Sequence, residues 1–282
     1  MPRDEAVVPA PVRRNGSSRA AALAAAARRR RRLEAVLPWL LTLAALALWE
    51  VAVRGFAIPE FILPKPSAIA ASMVKWWDPL LQNSWQTLMT TVVGFAAAIA
   101  FGLALGTAIG SSSLLYRGLY PVLIAFNSVP KVAVVPILVI WFGIGSVPAA
   151  ITAFLLSFFP IVVNVATGIA TVEPELSDVL RALGARPLDI VRKVGLPRAM
   201  PFFFASLKVS ITSAFVGSII AETVGSNAGI GHLMIVASSR FDVPLVFAGL
   251  VVTAVMGVAM YGGAQMVENR TIGWATRGMP AA

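Results

Sequence analysis

From residue 33 onward the apolar residues come in long runs rather than in alternation, and short polar stretches separate the runs. Runs over 33–53, 85–109, 119–142, 148–169, 202–221 and 245–267 each reach twenty residues or more. As helices they are long enough to cross the roughly 30 Å hydrocarbon layer. The pattern predicts an all-α integral membrane protein with about six transmembrane helices. Before the second run, FAIPEFILPKPSAIAASMVKWWDPLL carries Pro59, Pro64, Pro66 and Pro79 and the pair Trp76-Trp77. That density of prolines disfavours one straight span, and tryptophan suits the headgroup layer, so an interfacial loop with a short helix is expected there. In the second run Gly94, Gly102, Gly106 and Gly110 fall on one helical face, which predicts close approach of a neighbouring helix. The third run is irregular. Pro121, Pro130 and Pro136 interrupt it, and Asn127, Ser128 and Lys131 sit near its middle. Polar, broken backbone survives at membrane depth only beside protein or a cavity, so this span is expected as two helical pieces. The fourth run contains Pro160 and Asn164.

The longest charged interruption is 173–197, EPELSDVLRALGARPLDIVRKVGLP. Pro174 suits a first helical position, and Leu176, Val179, Leu180 and Leu183 then recur at helical spacing. Gly184 permits a turn, Pro187 opens a second short helix with Leu188, Val191 and Val194 on its apolar side, and Pro197 closes the pattern. Each piece is too short and too charged to span, so the stretch reads as a helix–turn–helix at one membrane face.

The chain has 282 residues, 58% hydrophobic and 13% charged, with a net charge of +10. Nine of its 23 Lys and Arg precede residue 33, and most of the others lie between apolar runs. That distribution is a topology signal rather than a nucleic-acid-binding face, so no nucleic-acid partner is expected. Six spans with the N-terminus inside put 17 basic residues on the inner side, among them Arg117, Arg181, Arg186, Arg192, Lys193 and Arg198. Both termini and the 173–197 loop are therefore expected in the cytoplasm. Residues 1–32, Arg-rich and ending in RRRRR, read as a basic, disordered tail able to touch anionic membrane lipid, in front of a transmembrane domain over 33–282. With no cysteine there is neither a disulfide framework nor thiol chemistry.

Catalytic motifs are missing. There is no GxxxxGK[ST] loop, His232 is the only histidine, and no carboxylate cluster suggests a metal site. An enzyme is not expected, nor a cofactor bound by this chain. Glu222, ahead of Gly225, Gly229 and Gly231, reads as an anchor for a Gly-rich turn, with a gate contact as the alternative. Lys208 reads as a snorkelling or packed lysine, or as a residue facing a cavity and attracting an anion. Lys131 with Asn127 and Ser128 is a candidate pathway element or a satisfied kink. Hydropathy alone leaves a solute permease, a membrane scaffold and an ion-driven secondary transporter in competition, the last short of coupling carboxylates beyond Glu222 and Glu50.

The polar stretch resembles the cytoplasmic "EAA" loop of ATP-binding-cassette importer permeases. Gly184 and Ala185 match the loop's glycine region, Val194-Gly195-Leu196-Pro197 matches its ending, and Asp178-Val179-Leu180 stand where Glu-Ala-Ala would be. FILPKPSAI at 61–69, FNSVPKVAVVPILVIWFGIG at 126–145 and AETVGSNAGIGHLM at 221–234 resemble the branch that imports nitrate, sulfonates, taurine and related solutes. The resemblance covers about 35–270 and implies the MetI-like permease fold in a prokaryotic cell membrane. It implies a homodimer, two cytoplasmic ATPase subunits that use ATP and Mg, and an extracytoplasmic solute-binding protein. It also implies that Asp178, Leu180, Leu183, Gly184, Ala185, Val191, Val194, Leu196 and Pro197 belong to an ATPase-coupling loop. Asn127, Ser128, Lys131, Lys208 and Glu222 are the candidate pathway or gate residues.

Overall fold

The computed structural model describes residues 16–272, which fold as helices joined by short turns, with no strand among them. Among the described residues five helices are long and apolar enough to cross a membrane, or six if one bent pair counts as a span. These apolar membrane-spanning helices are the all-α architecture the apolar runs predict.

The chain divides into two units, Met1–Ile58 and Pro59–Ala282. Among the described residues the first unit is α1 (Gly16–Gly55), whose apolar part is Val36–Gly55. Gly16 to Arg32, expected as part of an unstructured tail, continue this helix, in keeping with the high helix propensity of alanine and arginine. Residues 1–15 and the C-terminal 273–282 lie outside the described residues. Arg54 closes α1 with an ion pair to Glu50 one turn back, at 2.6 Å.

In the second unit α2 (Pro66–Lys75) is the short helix of the proline-rich segment, and the Trp76-Trp77 pair marks its joint with α3 (Trp77–Gly110). α3 therefore starts well before residue 85. Pro79 sits in its first turn, where a missing N–H costs no helical bond. The third apolar run is two pieces, α4 (Ser113–Ser128) and, after a 3₁₀ turn at Lys131–Val134, α5 (Val135–Phe142), bent by 73° at the break. α6 (Ser146–Ala170) is the fourth span. α7 (Pro174–Ala182) and α8 (Pro187–Ile190) flank the Gly184 turn. α9 (Leu196–Gly225), α10 (Ile230–Ser239) and α11 (Val243–Ile272) complete the unit.

The centre is α6, which packs along α3 on one side and α9 on the other. The predicted glycine face makes the first of these contacts. A Cβ on Gly102 would lie 2.6 Å from Ile161 Cγ2, one on Gly106 2.8 Å from Val165 Cβ, and one on Gly110 2.7 Å from the Ala166 carbonyl. Gly94 meets the Ala150 carbonyl in the same way. On the other side Gly168 faces Ala199 and Gly217 faces the Thr152 carbonyl. Small residues thus let the helix backbones close in, so dispersion contacts rather than hydrophobic expulsion hold the spans together.

Pro197 does not end a helix. Pro187 to Gly225 run as one 39-residue helical rod. A π turn over Val191–Gly195 shifts the hydrogen-bond ladder, with Leu196 N–H bonding Val191 O five residues back. The shift falls immediately before Pro197, whose missing N–H would otherwise break a regular ladder.

Candidate functional site

Two regions at opposite ends of the Pro187–Gly225 rod gather most of the predicted residues. At the first, α7 ends in a Schellman turn. Ala185 N–H bonds Leu180 O at 2.9 Å and Gly184 N–H bonds Arg181 O at 2.9 Å, with Gly184 at φ +87°. This is the left-handed conformation that favours glycine, and open space around the position makes the backbone angle the constraint. The turn carries apolar side chains outward. Leu183 is 78% exposed and Leu188 76%, with Val179 also exposed. Leu180, Ala185, Val191, Val194 and Leu196 are half-buried, while Asp178 and Pro197 are exposed. Behind the turn a cleft of about 430 Å³ opens between it and the α3–α4 corner, with Arg117 and Arg181 on its walls.

Of the apolar side chains expected on this loop, Leu183 and Leu188 protrude further than Leu180. Helical spacing puts Leu180 and Leu183 in one stripe and Leu188 on the second helix. What separates them is the turn: Leu180 lies in the last turn of α7, whereas Leu183 and Leu188 flank the bend.

At the other end Glu222 is fully buried at 1% exposure. Thr87 Oγ1 donates to Glu222 Oε2 at 2.8 Å, and Gly231 N–H donates to the same oxygen at 3.1 Å. Thr90 Oγ1 at 3.3 Å and Ser218 Oγ at 3.4 Å serve Oε1. Two more bonds seat the start of α10 on α3: Ile230 N–H to Thr87 Oγ1 at 2.9 Å and Gly229 N–H to Asn83 Oδ1 at 2.7 Å. Gly229, at φ +107°, lies so close that a Cβ there would run into the Glu222 carboxyl. The carboxylate joins α3, α9 and the start of α10 through Thr87, the Gly231 N–H and the Thr90–Ser218 hydroxyl pair, whose oxygens also bond each other. Neither Thr87, Thr90 and Ser218 as its partners nor Asn83 as the acceptor for Gly229 is legible in the sequence, because no periodic signature links positions so far apart.

The remaining candidates part company. Lys208, on α9, pairs with Glu268 of α11 at 2.8 Å, both residues half-buried. Lys131, in the break between α4 and α5, donates to Asn127 O at 3.0 Å and Asn127 Oδ1 at 2.8 Å. Ser128 bonds back to Ile124 O at 3.0 Å. Asn127 and Lys131 share a cleft with Thr212 and Ser213 of α9. Among the described residues no group of three or more His, Asp or Glu could hold a metal ion.

A bundle of apolar spans, one of them broken around polar groups, with an exposed helix–turn–helix at one end, defines a multi-pass membrane protein of the permease type. Residues 98–273 match the family described as binding-protein-dependent transport system inner membrane component, and the chain belongs to that family. It is 31% identical over 234 residues to a riboflavin transport system permease protein of Chloroflexus aurantiacus, covering 81% of this chain and 86% of that one. A probable ABC transporter permease of Haemophilus influenzae is 27% identical over 241 residues, covering 86% and 98% respectively. The fold matches the inward-facing MetNI methionine ABC transporter with a TM-score of 0.59 at 21% identity, over 70% of this chain and 97% of that one. The chain is thus a permease subunit of an ABC importer, forming the translocation pathway. ATP hydrolysis in such systems resides in a separate subunit, and a solute-binding protein accompanies them.

Proposed function

We propose that this chain, as a homodimer, passes a small solute from an extracytoplasmic binding protein across the membrane, driven by two cytoplasmic ATPase subunits docked on the 173–197 loop. The observation that carries this reading is the pair Leu183 and Leu188, exposed on either side of the Gly184 turn. Exposed leucines scattered over lipid-facing helices are solvated by acyl chains, but these two stand on a charged helix–turn–helix too short to be a span. Apolar side chains projecting from a rigid turn fill a groove in a partner protein, as buried anchors do at interface centres. The nine coupling-loop residues from Asp178 to Pro197 are assigned to this surface, Leu180 as support from behind.

The rod that starts at Pro187 gives the docking turn mechanical reach. At 1.5 Å per residue its 39 residues extend roughly 58 Å. A displacement at the turn therefore moves the α9 backbone as far as the Glu222 network. The excess of Lys and Arg in the tail and in this loop supports placing the turn and both termini in the cytoplasm. Asn127, Ser128 and Lys131 line the pathway. Lys208 and Glu222 hold its walls through Glu268 and through the α10 anchor.

The three segments at 61–69, 126–145 and 221–234 support a solute of the nitrate, sulfonate or taurine type. Co-purification of ATPase with Leu183→Asp and Leu188→Asp variants tests the docking role. Loss of ATPase at normal membrane abundance is expected, and full retention in both would refute it.

A further inference from the structure

Lys131 and Lys208 both lie among the apolar helices of the second unit, and they differ in one respect. Lys208 has a carboxylate partner, Glu268, at 2.8 Å. Lys131 has no ion-pair partner among the described residues, and its two hydrogen bonds both go to Asn127. It is half-buried and stands at the 73° break, on the wall of a cleft of about 310 Å³. The other walls are Asn127, Leu156, Thr212, Ser213 and Val216, none of them acidic.

An ammonium at membrane depth without a counter-charge is costly unless water or a ligand supplies one. Its third N–H is left over after the two bonds to Asn127. Asn127 Oδ1 is occupied by Lys131, so the amide NH₂ of the same side chain remains as a donor. Thr212 and Ser213 hydroxyls bond back to Lys208 O at 3.1 Å and Val209 O at 3.0 Å. Rotation of a hydroxyl hydrogen can exchange such a bond for one to a ligand oxygen.

We propose that the cleft between the α4–α5 break and α9 is a transit site for a small anion, with Lys131 and Asn127 as its donors and Thr212 and Ser213 as adaptable polar contacts. Resting on the permease reading above, this assigns the solute class to this chain itself: a sulfonate, carboxylate or comparable oxyanion group rather than a neutral or cationic solute. Weak, hydroxyl-based contacts around a single cation suit transit, since tight enclosure would trap the ion.

The chain has no cysteine, so a single thiol reports cleanly. Val216→Cys, on the exposed part of the cleft wall, would be introduced into the full permease–ATPase complex in lipid nanodiscs. Its labelling by a sulfonate-bearing and by a trimethylammonium-bearing methanethiosulfonate would be timed. Removing one nearby positive charge changes the ratio of the two rates by roughly tenfold. Lys131→Gln should lower the anionic-to-cationic ratio by about that factor, and Lys131→Arg should restore it. Millimolar methanesulfonate should slow labelling in the Lys131 protein but not in Lys131→Gln, and the neutral dimethyl sulfone, of similar shape, should slow neither. Equal protection by dimethyl sulfone, protection that survives Lys131→Gln, or no protection at all would overturn the proposal and leave Lys131 as a cap on the α4 carbonyls. ATPase retention by the same preparation separates this failure from failure of the permease reading, which would appear as loss of assembly in the unsubstituted chain.

Discussion

The two ends of the Pro187–Gly225 rod are built on opposite rules. At the Glu222 end the polar groups are buried and turned toward one another: three hydroxyls and a backbone N–H converge on one carboxylate. At the Gly184 end apolar groups are exposed, with Leu183 and Leu188 held outward by a Schellman turn. A satisfied buried network fixes one arrangement of α3, α9 and α10 and has nothing left to offer a partner. An exposed leucine pair on a rigid turn gains only when something covers it. The contrast separates an internal fastening from an external contact on the same helix, and suggests how movement at one end is resisted or relayed at the other.

The strongest way to break the comparison is at the docking end. The double variant Leu183→Asp/Leu188→Asp puts two charges into an interface centre, each expected to cost at least about 2 kcal/mol of association. ATPase recovered with the permease should fall by more than about 100-fold, which two such losses exceed. Uptake into proteoliposomes should drop to background while membrane abundance stays near normal.

At the other end, Glu222→Leu removes the common acceptor. Left unpaired, a buried donor costs roughly 1–3 kcal/mol, and the hydroxyls can redirect to backbone carbonyls, so a total destabilisation of about 3 kcal/mol is expected. Thermal unfolding of the detergent-purified chain should shift down measurably, with a smaller shift for Glu222→Gln, which keeps one acceptor. If Glu222→Leu were as stable as the parent, the fastening role would be lost.

Gly229→Ala tests the same end by geometry alone, since it adds a methyl group against the carboxyl at a left-handed φ. A loss of about 2 kcal/mol is expected by the same unfolding assay. The smallest effect is that of the control in a matched glycine pair. Gly102→Ala crowds Ile161 and should cost about 1–3 kcal/mol. Gly118→Ala meets open space within a helix and should be neutral or slightly stabilising, by up to about 1 kcal/mol.

Much of this was legible in the sequence, for physical reasons. Apolar run length reveals spans because backbone groups in hydrocarbon must be satisfied within the helix. The glycines of α3 announced a close helix contact, the prolines around Asn127 to Lys131 announced a break, and Gly184 announced its turn. What stayed hidden depends on pairs far apart in the chain. Glu222 finds Thr87 across 135 positions and Lys208 finds Glu268 across another helix, and neither spacing leaves a period to read. Pro197 misled because proline is read as a stop, while a π turn ahead of it lets the rod continue. The threonines of α3 also bond back to carbonyls of their own helix, so their shared role shows only in space, around Glu222.

The central claim, that the Gly184 turn is where the ATPase docks, is tested most directly by proximity in the assembled complex. Single cysteines at Leu183, Leu188 and, as a control beyond the Glu222 end, Ser238 would be introduced into the cysteine-free chain and treated with a short thiol-to-amine cross-linker. Adducts between permease and ATPase from Leu183→Cys and Leu188→Cys, and none from Ser238→Cys, are predicted. Cross-linking absent at both leucines in a complex that still hydrolyses ATP and transports, or equally strong at Ser238, would contradict the account.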